Sequence, residues 1–129
     1  RVDIRMDINN GVSFYSDKNR IGIILNNLIS NAIRYKNPNI PDPFVQITVN
    51  LTHHQAEIII ADNGIGIPEE KHEKIFEMFY RLSKQSVGSG LGLYIVKETV
   101  QKLNGSINIK SRLGSGTAFT VYLPNLINN

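Results

Sequence analysis

At 129 residues and 41% hydrophobic, the chain has the length of one domain (residues 1–129) with a core of its own. Its apolar runs are a few residues long, far short of the ~20 that span a bilayer, and no stretch of these residues reads as a secretory signal. Zero cysteines exclude disulfides and thiolate metal sites. The net charge of +3 comes from lysines and arginines scattered along the chain, which gives no nucleic-acid footprint.

Val2, Ile4, Met6 and Ile8 alternate with Asp3, Arg5, Asp7 and Asn9, the period-two pattern of a half-buried strand. Asn10-Gly11 is a hairpin-type turn, and Val12 to Tyr15 reads as a short second strand. Ser16 or Asp17 is positioned as an N-cap. From Lys18 to about Lys36 the period becomes helical, with Ile21, Ile24, Leu25, Leu28, Ile29, Ala32 and Ile33 on one stripe. Arg20, Asn27, Asn31 and Arg34 share a different face. Asparagine is a poor helix former because its amide competes for the backbone. A merely solvated face would do better with Glu, Lys or Gln, so this stripe points to function.

Asn37 to Pro43 carries three prolines, stops the helix and makes a loop. Val45, Ile47, Val49 and Leu51 form a strand that turns at His53-His54-Gln55 and pairs back through Ala56 to Ala61. The histidine pair has no acidic or cysteine partner at ligand spacing, so a turn is the better reading. That second strand delivers Asp62 to its end, and Asp62-Asn-Gly-Ile-Gly-Ile-Pro68 follows. One acid beside two glycines suits a pocket for a ligand that donates a hydrogen bond; it equally suits a turn that caps the next helix. Pro68 fits position N1 of a short helix through Ile75, and Phe76 and Phe79 read as core anchors. Ser83 to Ser89 has no periodicity and reads as a mobile loop. Gly90-Leu91-Gly92-Leu93 opens a helix with Leu93, Val96, Val100 and Leu103 on its apolar face and Gly105 as C-cap. Strands 106–111 and 117–123 close the chain around a Gly114-Ser115-Gly116 turn.

Three glycine clusters in one small domain call for a nucleotide. No Gly-x4-Gly-Lys-Ser/Thr occurs, which excludes a P-loop. Residues 88–92 are not Gly-x-Gly-x-x-Gly and follow no apolar strand, which argues against a dinucleotide fold. The protein-kinase catalytic-loop and magnesium-binding motifs are also absent. A glycine-rich loop entering a helix N-terminus remains, and its amides favour phosphate oxygens.

Four stretches together resemble the ATP-binding catalytic domain of bacterial sensor histidine kinases. They are Asn27-Leu-Ile-Ser-Asn31-Ala32 (its N box), Asp62 to Gly66 (first glycine box), Phe76 to Arg81 (F box) and Gly88 to Leu93 (second glycine box). A fifth, Gly114-Ser-Gly-Thr117 before a strand ending Leu123-Pro124, matches the last glycine box. The likeness runs from about Val2 to Pro124 with every box in order.

The resemblance implies an α+β, two-layer α/β sandwich of the kind shared with the gyrase and heat-shock chaperone ATPases. A mixed, mostly antiparallel sheet of about five strands would pack on three helices, with ATP between the helical layer and a flexible lid over 81–89. It implies that Asp62 accepts from the adenine amino group, that Gly64 and Gly66 let the base approach, and that Thr117 joins Asp62 through a water. Tyr35 and Ile67 would lie against the base. Asn31 would ligate Mg²⁺, whose affinity for oxygen donors suits a neutral amide beside phosphates; Asn27 would lie beside the same metal or the phosphates. Arg34, Lys36, Arg81, Lys84, Gly88, Gly90, Leu91, Gly92 and Leu93 would complete the phosphate and lid contacts.

In related ATPases that use water, the position of Asn27 resembles a glutamate. An amide takes no proton, so water attack is expected to be slow and transfer to a histidine imidazole favoured. None of the three histidines suits the acceptor role, and His72-Glu73 lacks the Arg-Thr-Pro that usually follows it. The expected partners are therefore a helical dimerisation and phosphoacceptor domain of the same parent chain and, downstream, a response regulator receiver domain. The parent is expected to be a homodimeric inner-membrane sensor with this monomeric domain on the cytoplasmic side. Rival readings are a nucleotide-binding regulatory module without phosphotransfer, an anti-sigma-type serine kinase and a gyrase-type ATPase.

Overall fold

A computed structural model describes residues 2–9, 11–81 and 90–127. Five strands and two α-helices organise them: β1 (Asp3–Asn9), α1 (Lys18–Arg34), β2 (Phe44–Leu51), β3 (Gln55–Asp62), α2 (Gly92–Lys102), β4 (Ser106–Arg112) and β5 (Gly116–Pro124). A third helical segment, before α2, consists of two 3-10 turns, Glu69–Lys71 and Lys74–Phe76. The sheet order is β1-β2-β3-β5-β4. β1 and β2 run parallel, and every other neighbouring pair is antiparallel. Parallel neighbours need a crossover, and α1 supplies it.

α1 rests on β2 and β3, α2 on β4, and the two helices contact each other, so one face of the sheet is covered. That face is built from cross-strand rows. Ile58, Val121 and Ile107 form one row, and Ile60, Phe119 and Ile109 the next. Ile24 and Leu28 of α1 and Val96 and Val100 of α2 close over the sheet as fully buried residues. Each such side chain contributes about 1.5–3 kcal/mol of apolar transfer. The next position along the same face is the row Asp62, Thr117 and Ser111, where the apolar pattern turns polar.

Several local expectations change. No strand forms over 12–15. Asn125 takes those backbone groups instead: its Oδ1 accepts from Tyr15 N–H at 3.1 Å and its Nδ2 donates to Ser13 O at 2.9 Å. β1 is also not half-buried. Ile4, Met6 and Ile8 are 50%, 63% and 48% exposed, because β1 is the sheet edge beyond the strands on which the helices rest. Asp17 is the N-cap of α1, its carboxylate accepting from Arg20 N–H at 3.1 Å, and the helix ends at Arg34 with Tyr35 as C-cap.

The segment after Pro68 does not make an α-helix. Of 69–76, Ile75 alone is buried, and a single apolar anchor gives a short helix too little packing to hold it. Pro68 is the extended N-cap of the first 3-10 turn, not its first helical residue. Phe76 is a core contact, edge-on to Phe119 at 6.1 Å, but Phe79 is 65% exposed with φ +64°. α2 begins at Gly92, and Gly105 is not its left-handed cap. Asn104 takes that position (φ +59°), with Gly105 N–H donating to Val100 O and Asn104 N–H to Gln101 O, both at 3.0 Å. Gly105 is required for another reason: a Cβ there would collide with the carbonyl of Tyr122.

Candidate functional site

The polar stripe of α1 faces the start of α2. Asn27, Ser30, Asn31 and Arg34, with Tyr35 at the C-cap, line one side of a cleft of about 230 Å³. Gly90, Leu91, Gly92, Leu93 and Ile95 line the other, and Ile67, Ile75, Tyr80 and Arg81 complete it. The spacings 27, 30, 31 and 34 put these α1 residues on one face. Arg20 and Lys36 are not in the lining. Arg20 pairs with Asp17 at 3.0 Å, which keeps it at the N-terminus of α1.

Asn27 is oriented by its own helix. Its Nδ2 donates to Ile23 O at 2.7 Å, so Oδ1 is the atom left to face outward. That oxygen lies 3.2 Å from where a Cβ on Gly92 would be, which places it against the first residue of α2. Asn31, one turn later, makes no side-chain hydrogen bond among the described residues, and Arg34 no ion pair among them. The cleft therefore presents amide oxygens at i and i+4 with a guanidinium beyond them. The N-terminus of α2 has no acidic residue in its first turn. First-turn N–H groups lack intrahelical acceptors, and the helix dipole makes such an end favourable for anions. The backbone entering α2 is fixed: Phe79 N–H donates to Gly90 O at 2.8 Å, and Gly90 has φ +77°.

Beside the cleft lies a chamber of about 10 Å³ lined by Asn31, Tyr35, Asp62, Ile65, Gly66, Ile67 and Thr117. It has room for roughly one water. Asn31, Tyr35 and Ile67 line both spaces, so the two adjoin. Asp62 Oδ1 accepts from Gly64 N–H at 2.8 Å and from Thr117 N–H at 3.3 Å. Oδ2 has no hydrogen bond among the described residues. Burial raises the Asp62 pKa above 3.8, and the N–H groups of Gly64 and Thr117 oppose that rise.

Gly64 lines neither space; a Cβ there would press on Tyr35 O and, at 2.9 Å, on Asp62 Oδ1. A Cβ on Gly66 would overlap Arg112 O, and its φ is +76°. Both glycines thus have a packing reason within the protein. Lys84 and Gly88, and most of the 81–89 lid, lie outside the described residues.

Ser30, Tyr80 and Ser111 were not singled out by the sequence. Ser30 could have been found from the stripe, since it is three residues beyond Asn27. Ser111 could not: it sits in an ordinary alternating strand, and only the register with Thr117 brings it to the site. The histidines stay outside both spaces. His72 Nε2 lies 2.9 Å from Ile67 O, and since a carbonyl only accepts, that nitrogen carries the proton.

The sequence profile described as histidine kinase-, DNA gyrase B- and HSP90-like ATPase matches residues 16–127. Sensor histidine kinase RppB of Synechocystis sp. is 35% identical over 130 residues, spanning 95% of this chain and 28% of RppB. The mycobacterial sensor histidine kinase MprB superposes with a TM-score of 0.80 at 28% identity, covering 96% of this chain and 82% of that one. Full-length ShkA in complex with AMPPNP superposes with a TM-score of 0.83 at 25% identity, over 96% of this chain and 26% of ShkA. The chain spans about a third or less of the length of the curated relatives it matches. The profile match takes in α1, the Asp62 turn, the start of α2 and Thr117 together: the chain belongs to the histidine kinase-, DNA gyrase B- and HSP90-like ATPase family.

Proposed function

We propose that the cleft binds Mg-ATP and that this chain is the catalytic part of a sensor histidine kinase. It would transfer the γ-phosphoryl group to a histidine on a separate helical dimerisation domain, from which a response regulator receiver domain takes it. The observation that carries this reading is the pairing across one cleft of the Asn27–Arg34 face with the N-terminus of α2, next to a half-buried carboxylate. The likeness to ShkA, whose structure holds an ATP analogue, supports it.

Each part of the site has a role its chemistry suits. Asp62, with Oδ1 held by two N–H groups, offers Oδ2 to a donor such as the amino group of adenine. The chamber is too small for a base, so the base would sit in the larger cleft and reach Asp62 through a water seated in the chamber. Asn31 and Asn27 Oδ1 are oxygen donors of the kind Mg²⁺ accepts. The ion, when bound, would neutralise charge on the β- and γ-phosphates. Arg34 and the amides at the start of α2 would hold phosphate oxygens, and Arg81, Lys84 and Gly88 would add further phosphate contacts.

Asn27 has no proton-accepting group to activate water, so an imidazole supplied by another domain is the better nucleophile. No helix among the described residues is long and apolar enough to cross a membrane. A cytoplasmic position below a membrane sensor is part of the proposal.

The test is transfer in trans. The chain is mixed with Mg²⁺, ATP labelled at the γ-phosphate, and a separately expressed dimerisation domain of the parent protein. Label on the histidine of the supplied domain supports the reading. Binding of ATP with no transfer would support a regulatory nucleotide-binding module instead, and stable phosphohistidine on the chain alone contradicts the separate-acceptor proposal.

A further inference from the structure

We infer that Ser111 fixes the direction in which the Thr117 hydroxyl points its proton, and thereby makes the Asp62 chamber select an amino group over an oxygen acceptor on the bound base. The inference rests on the nucleotide reading above and adds a residue and a specificity to it.

Ser111 Oγ has three partners: Ile67 N at 2.7 Å, Gly116 O at 2.9 Å and Thr117 Oγ1 at 2.8 Å. A serine hydroxyl has one proton and two lone pairs. Ile67 N–H can only donate, and Gly116 O can only accept, so Ser111 gives its proton to Gly116 O. The remaining contact must then be filled by Thr117, which donates its proton to Ser111. Thr117 Oγ1 is left with lone pairs alone to show the chamber.

Asp62 Oδ2 is an acceptor too. A water in a chamber of about 10 Å³ that gives one proton to Asp62 and one to Thr117 has only lone pairs left for a ligand. Whether the base meets the side chains or that water, it meets acceptors. An exocyclic amine is matched, and an oxygen acceptor at the same place faces lone pairs. Without Ser111 the Thr117 hydroxyl can turn and donate to the water, which then has a proton to give to such an acceptor. Ser111 touches no ligand in this account; it is a positioning residue.

The experiment compares affinities for ATP and for 6-O-methylinosine triphosphate, which carries an oxygen acceptor where ATP carries the amine and, unlike inosine triphosphate, keeps N1 unprotonated as in ATP. Wild type should prefer ATP. Ser111→Ala should narrow the ratio of the two dissociation constants by about tenfold, the size of one hydrogen bond made or lost. Ser111→Thr, which keeps the hydroxyl, should restore it. Should Ser111→Ala not fold, Ser111→Cys keeps the volume with a weak hydrogen-bonding group, and the same narrowing is expected. A ratio unchanged in the folded variant, or both affinities falling by the same factor, would show a purely structural role for Ser111 and overturn the inference alone. Failure of wild type to bind either nucleotide would overturn the nucleotide reading, and this inference with it.

Discussion

Asp62 is a carboxylate whose burial raises its pKa above 3.8 against the two N–H groups that hold Oδ1. A folded-state pKa above the unfolded value means that this group favours folding below the unfolded pKa. That contribution is lost as pH rises through the folded value. At neutral pH the charge is therefore a burden on the fold that a bound donor would relieve. Asn in its place keeps an acceptor for Gly64 and Thr117 N–H and has no charge to desolvate. Asp62→Asn is expected to melt at or above the wild-type temperature at pH 7. The difference should close as pH falls from the raised folded value toward about 3.9, the usual value for an unfolded Asp. Thermal melts across that range check it; a variant that melts well below wild type at pH 7 would mean that the carboxylate holds the fold.

At the scale of elements, periodicity made α1, β2, β3, α2, β4 and β5 legible to within one or two residues, because each buries a regular stripe. What it could not show was partner choice. Residues 1–15 have the pattern of a hairpin, yet β1 pairs parallel to β2 across α1, and Asn125 at the far end of the chain takes the backbone of 13–15. The end of α2 was misread for a related reason. Gly105 has the composition of a left-handed cap, but Asn104 occupies that conformation and Gly105 is needed by Tyr122. Asn104→Gly should therefore be neutral or stabilising by up to about 1 kcal/mol. Gly105→Ala should cost about 1–3 kcal/mol by overpacking, measured by denaturant unfolding. A reversed order would mean that the cap lies at Gly105. On α1 the polar stripe stood out because asparagine is a poor choice for a solvated helix, and the structure brings Asn27, Asn31 and Arg34, though not Arg20, to the cleft. Asn31→Ala is expected to remove the Mg²⁺ dependence of triphosphate binding while leaving the helical content intact by circular dichroism. Persistence of that dependence would place the metal elsewhere.

Over the whole molecule, the site exists because one face of a sheet carries both the core and its polar margin. Rows of Ile, Val and Phe hold α1 and α2 down, and the next row, Asp62, Thr117 and Ser111, opens beside the cleft between those helices. Asp62 and Thr117 stood out in the sequence only as members of an ordered set of glycine-rich boxes. Their contact arises from β3–β5 pairing at a separation of 55 residues, which no local pattern encodes. Calorimetric titration of the chain and of Asp62→Asn with Mg-ATP asks whether this assembly is an ATP site with Asp62 at its base-selective end. Saturable one-to-one binding to wild type is expected, with an affinity at least tenfold weaker for the folded variant. Equal affinities, or no binding to wild type, would contradict that reading.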